Sequence, residues 1–135
     1  MGNLAQMASQ NGHDVVGVDQ KVYPPMSDEL IKSGISFEEG YTVENFQDAD
    51  IYILGNVISK DNPLLIKILS LGKNVMSGPE WLYENVLKDK KVIAVSGTHG
   101  KTTVTTMIAH ALLEQGENPG YLIAGVPKML NKSWN

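Results

Sequence analysis

The sequence contains no cysteine, which excludes disulfides and thiolate metal sites and leaves nothing that ties the chain to an oxidising compartment. It also lacks any apolar run of the ~18 or more residues that a membrane span needs. Met1 to Ser9 have neither the basic start nor the long apolar stretch of a signal peptide, so a cytoplasmic address is expected. Basic residues do not prevail: 11 Lys and Arg stand against 15 Asp and Glu, for a net charge of −4 and a pI near 5.3. That balance argues against a broad footprint on nucleic acid or an anionic lipid surface, so any phosphate recognition has to be local. No internal repeat or low-complexity segment is present. What remains is 42% hydrophobic and 19% charged, the composition of a folded globular body. At 135 residues the chain suffices for about one ordinary domain of ~100 to 200 residues, and a second would be incomplete.

Short apolar runs rich in β-branched residues alternate with segments of helical period. The runs predict strands at Asp14 to Asp19, Ile35 to Glu38, Asp50 to Gly55, Asn74 to Ser77, Lys91 to Ser96 and Gly120 to Ala124. Between them, helices are predicted at Leu4 to Gln10, Asp28 to Ser33, Pro63 to Ser70, Pro79 to Lys88 and Lys101 to Gln115, several starting at Pro or ending at Gly. Right-handed crossovers turn this rhythm into a parallel sheet. The fold class expected is therefore α/β: a Rossmann-like parallel sheet whose first strand is missing, followed by the start of a P-loop ATP-binding domain. The charged stretch Leu87-Lys88-Asp89-Lys90-Lys91 puts the boundary near Lys90, giving domains 1–89 and 90–135. Met1-Gly2 stands directly before a helix, without the strand and glycine loop that usually open such a fold, so a piece of a longer protein is expected.

The strongest chemical signal is Gly97-Thr98-His99-Gly100-Lys101-Thr102-Thr103, set between the apolar run Val92-Ile93-Ala94-Val95 and a helix. Glycines at 97 and 100 let successive backbone N–H groups curl around phosphate oxygens, and the helix start adds partial positive charge. Lys101 would meet the β- and γ-phosphates of ATP, Thr102 would offer a hydroxyl to Mg²⁺, and Thr103 a further hydroxyl near the α-phosphate. Thr98 and His99 line the loop, His99 through its backbone at most. Val95 stands where the general pattern has its first glycine, which has moved to Gly97. A string of this kind arises by chance in on the order of one in several thousand chains of this length. The helix behind it is expected to dock through Val104, Met107, Ile108, Ala111 and Leu112.

Elsewhere, Asp19 closes a strand at the place where an acidic residue meets a ribose hydroxyl in Rossmann-like sheets, although a plain strand-end aspartate reads equally well. Gly55 and Asn56 follow another strand at the edge where open α/β sheets bind ligands. Trp81, two residues after Pro79, reads as core.

The loop with its displaced glycine resembles the ATP loop of the Mur ligases, which join amino acids or peptides to a UDP-linked muramic acid. Tyr23-Pro24-Pro25-Met26-Ser27, Gly55-Asn56 with Asn62-Pro63, Met76-Ser77-Gly78-Pro79-Glu80-Trp81-Leu82 and Gly125-Val126-Pro127 are similar to the branch of that family that reattaches a recovered tripeptide. The resemblance runs over essentially all of the chain. It implies an ATP- and Mg²⁺-dependent ligase whose substrates are UDP-N-acetylmuramate and L-alanyl-γ-D-glutamyl-meso-diaminopimelate, with Lys101 as the catalytic residue here and Asp19, Gly55 and Asn56 contacting the UDP substrate. It also implies that the family's first strand with its uridine-diphosphate loop, the rest of the central domain and the third domain lie outside this sequence, so that the chain alone is inactive. Ala124 replaces an expected glycine and Lys128 to Asn135 diverge from the family's usual run. An L-alanine-adding or other Mur-type ligase, and a non-catalytic nucleotide-binding remnant, stand as the alternatives.

Overall fold

The computed structural model describes all residues except Val126 and Asn131, so the middle of the Gly125-Val126-Pro127 motif lies outside the described residues. The chain divides into two compact units, Met1–Lys90 and Lys91–Asn135.

In the first unit, strands β1 (Val16–Asp19), β2 (Ser36–Glu39), β3 (Ile51–Leu54) and β4 (Asn74–Ser77) alternate with helices α1 (Gly2–Gln10), α2 (Met26–Lys32), α3 (Pro63–Ser70) and α4 (Gly78–Leu82). All four strands coincide closely with apolar runs of the sequence. Two helices start where the sequence places caps. Asn62 accepts the Leu65 amide at 3.1 Å, with Pro63 occupying the first helical position, where no amide partner is needed. At α4, Ser77 and Glu80 exchange bonds in a capping box, Glu80 N to Ser77 Oγ at 3.2 Å and Ser77 N to Glu80 Oε2 at 3.3 Å. The single helix expected over Pro79 to Lys88 changes pitch instead. It becomes a π-helical turn over Tyr83–Leu87, closed by Lys88 N donating to Tyr83 O at 2.9 Å.

The expected single sheet is two parallel pairs, β1 with β2 and β3 with β4. The physical reason lies in the topology of doubly wound sheets, where the first strand sits between the second and the fourth. With β1 and β2 counted as second and third strands and β3 and β4 as fourth and fifth, the two pairs stay unjoined because no strand among the described residues lies between them. The helix that such a strand would feed is already in position. The start of α1 touches the carboxyl-end residues of the other strands: a Cβ on Gly55 or Gly78 would stand 3.4 Å from Met1 side-chain atoms. Neither β1 nor β3 has a second strand beside it, and Val16 is 46% and Ile51 41% exposed. The core is correspondingly thin, built from Leu4, Met7, Leu30, Ile35, Leu64, Leu65, Ile68 and Trp81. Trp81 is 4% exposed and meets the His13 ring edge-on at 5.9 Å, so its reading as core holds.

The second unit holds α5 (Lys101–Glu114). Its core is Ala109, Ile123 and Leu130, with Tyr121 packed against them. Three sequence expectations fail here. Lys91 to Ser96 form no strand, because a β-ladder needs a partner and none lies alongside among the described residues. The run has no regular structure, with Ile93 66% exposed. Gly120 to Ala124 form no parallel strand either. Leu122 makes an isolated antiparallel bridge with Trp134, flanked by Tyr121 N to Asn135 O at 3.2 Å and Ile123 N to Ser133 O at 2.7 Å. The expected docking stripe of α5 is also displaced, since Thr106 and Ala109 are buried while Val104 and Met107 stay exposed. The helix carries apolar side chains on several sides, so period alone does not choose its buried face. No helix among the described residues is long and apolar enough to cross a membrane.

The split sheet makes a thermodynamic prediction. Appending an apolar β-strand and short turn before Met1 fills the gap between β1 and β3, pairing two open edges and covering Val16 and Ile51. Each kcal/mol so gained raises the melting temperature of a domain this size by roughly 4 to 8 °C. Scanning calorimetry of extended and unextended chains should show a rise of several degrees, and equal melting temperatures would contradict the gap.

Candidate functional site

The loop before α5 is shaped by two glycines. Gly97 has φ of 152° and Gly100 has φ of 77°, backbone positions that cost a residue with a Cβ about 1 to 2 kcal/mol. Around Gly100 the space is open, with nothing within 4 Å of the point where a Cβ would stand, so glycine is needed there for its backbone and not for room. Immediately afterwards α5 begins without a side-chain cap and without an acidic residue in its first turn. Val104 N donating to Gly100 O at 2.9 Å is the first helical bond, which leaves the amides of Lys101, Thr102 and Thr103 without intrahelical acceptors. These donors and the helix dipole point to an anion.

The side chains agree with that charge. Lys101 folds over the loop, its ammonium donating to Gly97 O at 2.6 Å and Thr98 O at 3.3 Å. Gly97, Thr98, Gly100 and Lys101 are thus brought together. Thr98 Oγ1 and His99 Nδ1 lie 3.2 Å apart, which gives His99 a side-chain contact beyond the backbone role expected for it. Thr102 and Thr103 are exposed at the first turn. Thr105 and Thr106 return their hydroxyls to the carbonyls of Lys101 and Thr102, at 2.8 and 2.7 Å, fixing the turn behind the loop. For Mg²⁺ the donor set fits in part. Among the described residues no group of three or more His, Asp or Glu is placed to hold a metal ion, and the Thr102 hydroxyl is the group of this loop that would reach a Mg²⁺ bound with the phosphates. The remaining oxygens of a Mg²⁺ shell would come from phosphates and water.

In the first unit, Asp19 ends β1 opposite Glu39 at the end of β2. Its Oδ1 accepts Gln20 N at 2.6 Å and the Tyr41 hydroxyl at 3.1 Å. Glu39 Oε1 accepts Val22 N at 3.1 Å, tying down the segment that leads to Tyr23, Pro24 and Pro25. Gly55 closes against Met1 at the end of β3, and Asn56 is an exposed turn residue. Asp19 was named from the sequence, whereas Tyr41, which donates to it, was not. Its only signal is its place directly after Gly40, which ends a strand run.

Comparison with known proteins gives the family. A family model described as "Mur ligase family, catalytic domain" matches residues 1–90. Over 128 residues the chain is 45% identical to the UDP-N-acetylmuramate–L-alanyl-γ-D-glutamyl-meso-2,6-diaminoheptandioate ligase of Escherichia coli, covering 94% of this chain and 28% of that one. With a UDP-N-acetylmuramate–L-alanine ligase of Rubrobacter xylanophilus it is 36% identical over 125 residues, covering 93% and 28%. The crystal structure of the UDP-N-acetylmuramate:L-alanyl-γ-D-glutamyl-meso-diaminopimelate ligase from Neisseria meningitides superposes with a TM-score of 0.92 at 44% identity, over 99% of this chain and 42% of that one. The chain thus spans 28% of the length of these curated relatives.

The Tyr41 contact has a pH signature. Burial and the bond to Asp19, with the nearby carboxylate charge, hold the phenol above the ordinary tyrosine range, while the Gln20 backbone acts against them. A raised pKa in the fold means that the contribution to stability is whole below the ordinary value near 10 and is lost as pH rises through the folded value. Ring-carbon NMR should show Tyr41 titrating above the ordinary tyrosine value, and Asp19→Asn should lower its midpoint. A Tyr41 midpoint indifferent to Asp19→Asn would refute the contact.

Proposed function

Because the chain belongs to the Mur ligase family, we propose that it is the leading part of an ATP-dependent ligase that joins L-alanyl-γ-D-glutamyl-meso-diaminopimelate to UDP-N-acetylmuramate in cell-wall peptide recycling, in the cytoplasm. The observation that carries this reading is the higher identity to the tripeptide-adding relative than to the L-alanine-adding one. Residues 1–89 handle the UDP substrate as the Rossmann-like part of the fold, and residues 90–135 open the P-loop ATP-binding part. In the first, Asp19, Gly55 and Asn56 lie at strand carboxyl ends, and α1 starts beside Gly55 without a side-chain cap. Such a helix start favours a diphosphate.

When bound, ATP supplies the phosphoryl group that the muramate carboxylate takes up as ADP departs, after which the tripeptide amine attacks the carbonyl and phosphate leaves. The chain's own residues position and neutralise. Gly97, Thr98, His99 and Gly100 present backbone donors to the phosphates, and the first-turn amides of α5 complete the cradle. Lys101 exchanges its two loop carbonyls for phosphate oxygens, an exchange of neutral acceptors for charged ones that favours the nucleotide-bound loop. Thr102 would offer its hydroxyl to Mg²⁺ and Thr103 its own near the α-phosphate.

The test uses a polypeptide extended to the length of the relatives. There Lys101→Ala should leave stability within about 1 kcal/mol, because the lysine is exposed and Ala suits a helix start. ADP release that requires both UDP-N-acetylmuramate and the tripeptide should fall roughly a hundred- to a thousandfold, the loss of ~3 to 4 kcal/mol of transition-state stabilisation. Thr102→Ala should fall as well and be partly restored by raised Mg²⁺. Near-parental turnover in Lys101→Ala sinks the proposal, and ADP release driven by L-alanine in place of the tripeptide redirects it to the alanine-adding branch.

A further inference from the structure

The first unit has strand edges that want a partner, and the second unit has a strand-forming run that lacks one. Among the described residues β1 pairs only with β2 and β3 only with β4, so each strand keeps one row of ladder donors and acceptors open. The open edges of β2 and β4 are outer edges in a doubly wound order, whereas those of β1 and β3 border the central position. A strand arriving at the centre therefore completes two ladders, and one arriving at an outer edge completes a single one. The start of α1 marks that centre: a Cβ on Gly2 would collide with Met26 Sδ at the start of α2, and one on Gly55 or Gly78 would stand 3.4 Å from Met1 side-chain atoms.

The run Val92-Ile93-Ala94-Val95 is four residues long, as are β1 and β3. A strand at the centre of a parallel sheet is covered on both faces and is apolar throughout. This run is apolar at all four positions and β-branched at three, a composition that suits a strand, yet Val92 is 54% and Ile93 66% exposed. Charge gives the run a direction. Lys90 and Lys91 stand directly before it, and Ser96, Gly97 and Thr98 after it carry no charge. Asp14 lies just before β1 and Asp50 directly before β3, both exposed, so a parallel entry brings the lysines to these two acids. At the carboxyl ends the same two strands offer one acid, Asp19, which already accepts the Gln20 amide and the Tyr41 hydroxyl. The positive start of α1 lies there as well and repels a lysine.

We propose that this chain pairs with a second copy of itself by strand exchange: residues 92–95 of one copy enter parallel to β1 and β3 of the other, and the second copy returns the same run to the first. Each copy holds one run and one central position, so the two contacts are identical, are related by a two-fold axis and leave no place for a third copy. The occupant has to be an apolar four-residue strand with a basic start, and this chain carries one that pairs with nothing of its own. The inference is independent of the ligase reading, since it invokes neither nucleotide nor substrate.

The test follows the mass of the 135-residue chain by sedimentation equilibrium over rising concentration. It should climb from the mass of one chain to that of two and stop there. Ile93→Asp should weaken the association roughly tenfold or more, because it carries a carboxylate in among apolar strands. Ile93 is exposed in the single chain, so this variant loses no packing and should fold as before. Ile31→Asp alters an isoleucine of α2 that is equally exposed, at 66%, and should leave the association within about twofold. A second measurement needs no substitution. In a mixture of ¹³C-labelled and unlabelled chains, isotope-filtered Overhauser contacts should join the Ile93 and Val95 methyls of one copy to those of Val16, Val18, Ile51 and Ile53 of the other. A chain that stays single at its highest attainable concentration overturns the proposal. So do equal effects of Ile93→Asp and Ile31→Asp, and intermolecular contacts confined to other residues.

Discussion

Every helix start in this chain faces the same constraint: its first backbone N–H groups have no acceptor inside the helix. The ways in which the chain meets it set the local geometry around each strand end. At α3 and α4 side chains answer it, with Asn62 at one and the Ser77 and Glu80 box at the other. At α2 the first turn carries Asp28 and Glu29, acids that suit the positive end of the dipole. At α5 neither device is present, and the loop before it is bent by glycines into a backbone form that exposes the donors. A helix start that is left open and then given Lys101 is a place for a multiply charged anion. In the chain alone Lys101 is satisfied by Gly97 and Thr98 carbonyls, so the charge is held at the loop before any ligand arrives.

The same logic connects the two ends of the first unit. Parallel strands deliver all their following loops to one edge, so Asp19, Glu39, Gly55 and Gly78 all sit at strand carboxyl ends without any sequence proximity. The start of α1 contacts residues after two of these strands. Unpaired edges on β1 and β3 are the cost of this arrangement, and they keep Val16 and Ile51 partly wet.

Features set by neighbours in sequence were legible, and those set by partners across space were not. The span of α3 was readable because Asn62-Pro63 marks its start by a local mechanism, and α4 because Ser77 and Glu80 sit at capping-box spacing. The four strands of the first unit were readable from β-branched runs. Lys91 to Ser96 has the same composition, yet a strand exists only where a partner supplies the other half of its hydrogen bonds. The splitting of the sheet into two pairs accords with the expectation of a sheet without its first strand, since no strand among the described residues joins β1 to β3. The buried face of α5 was misplaced because Thr106 covers its hydroxyl by bonding to Thr102 O and so behaves as a small core residue. The Tyr41 contact with Asp19 was not legible because it depends on a turn locked by Asn45, five residues from Gly40, and tyrosine after a glycine has no chemical signature of its own.

The central claim, that Gly97 to Thr103 is an anion seat built from backbone donors and Lys101, is tested most directly by titrating inorganic triphosphate into the ¹⁵N-labelled chain and following its amide signals. The account expects the largest shifts at Gly100, Lys101, Thr102 and Thr103, together with a change in the Lys101 side-chain signal as it leaves Gly97 and Thr98 for the phosphates. Shifts confined to other residues, with the amides from Gly100 to Thr103 unmoved at saturating triphosphate, would contradict it.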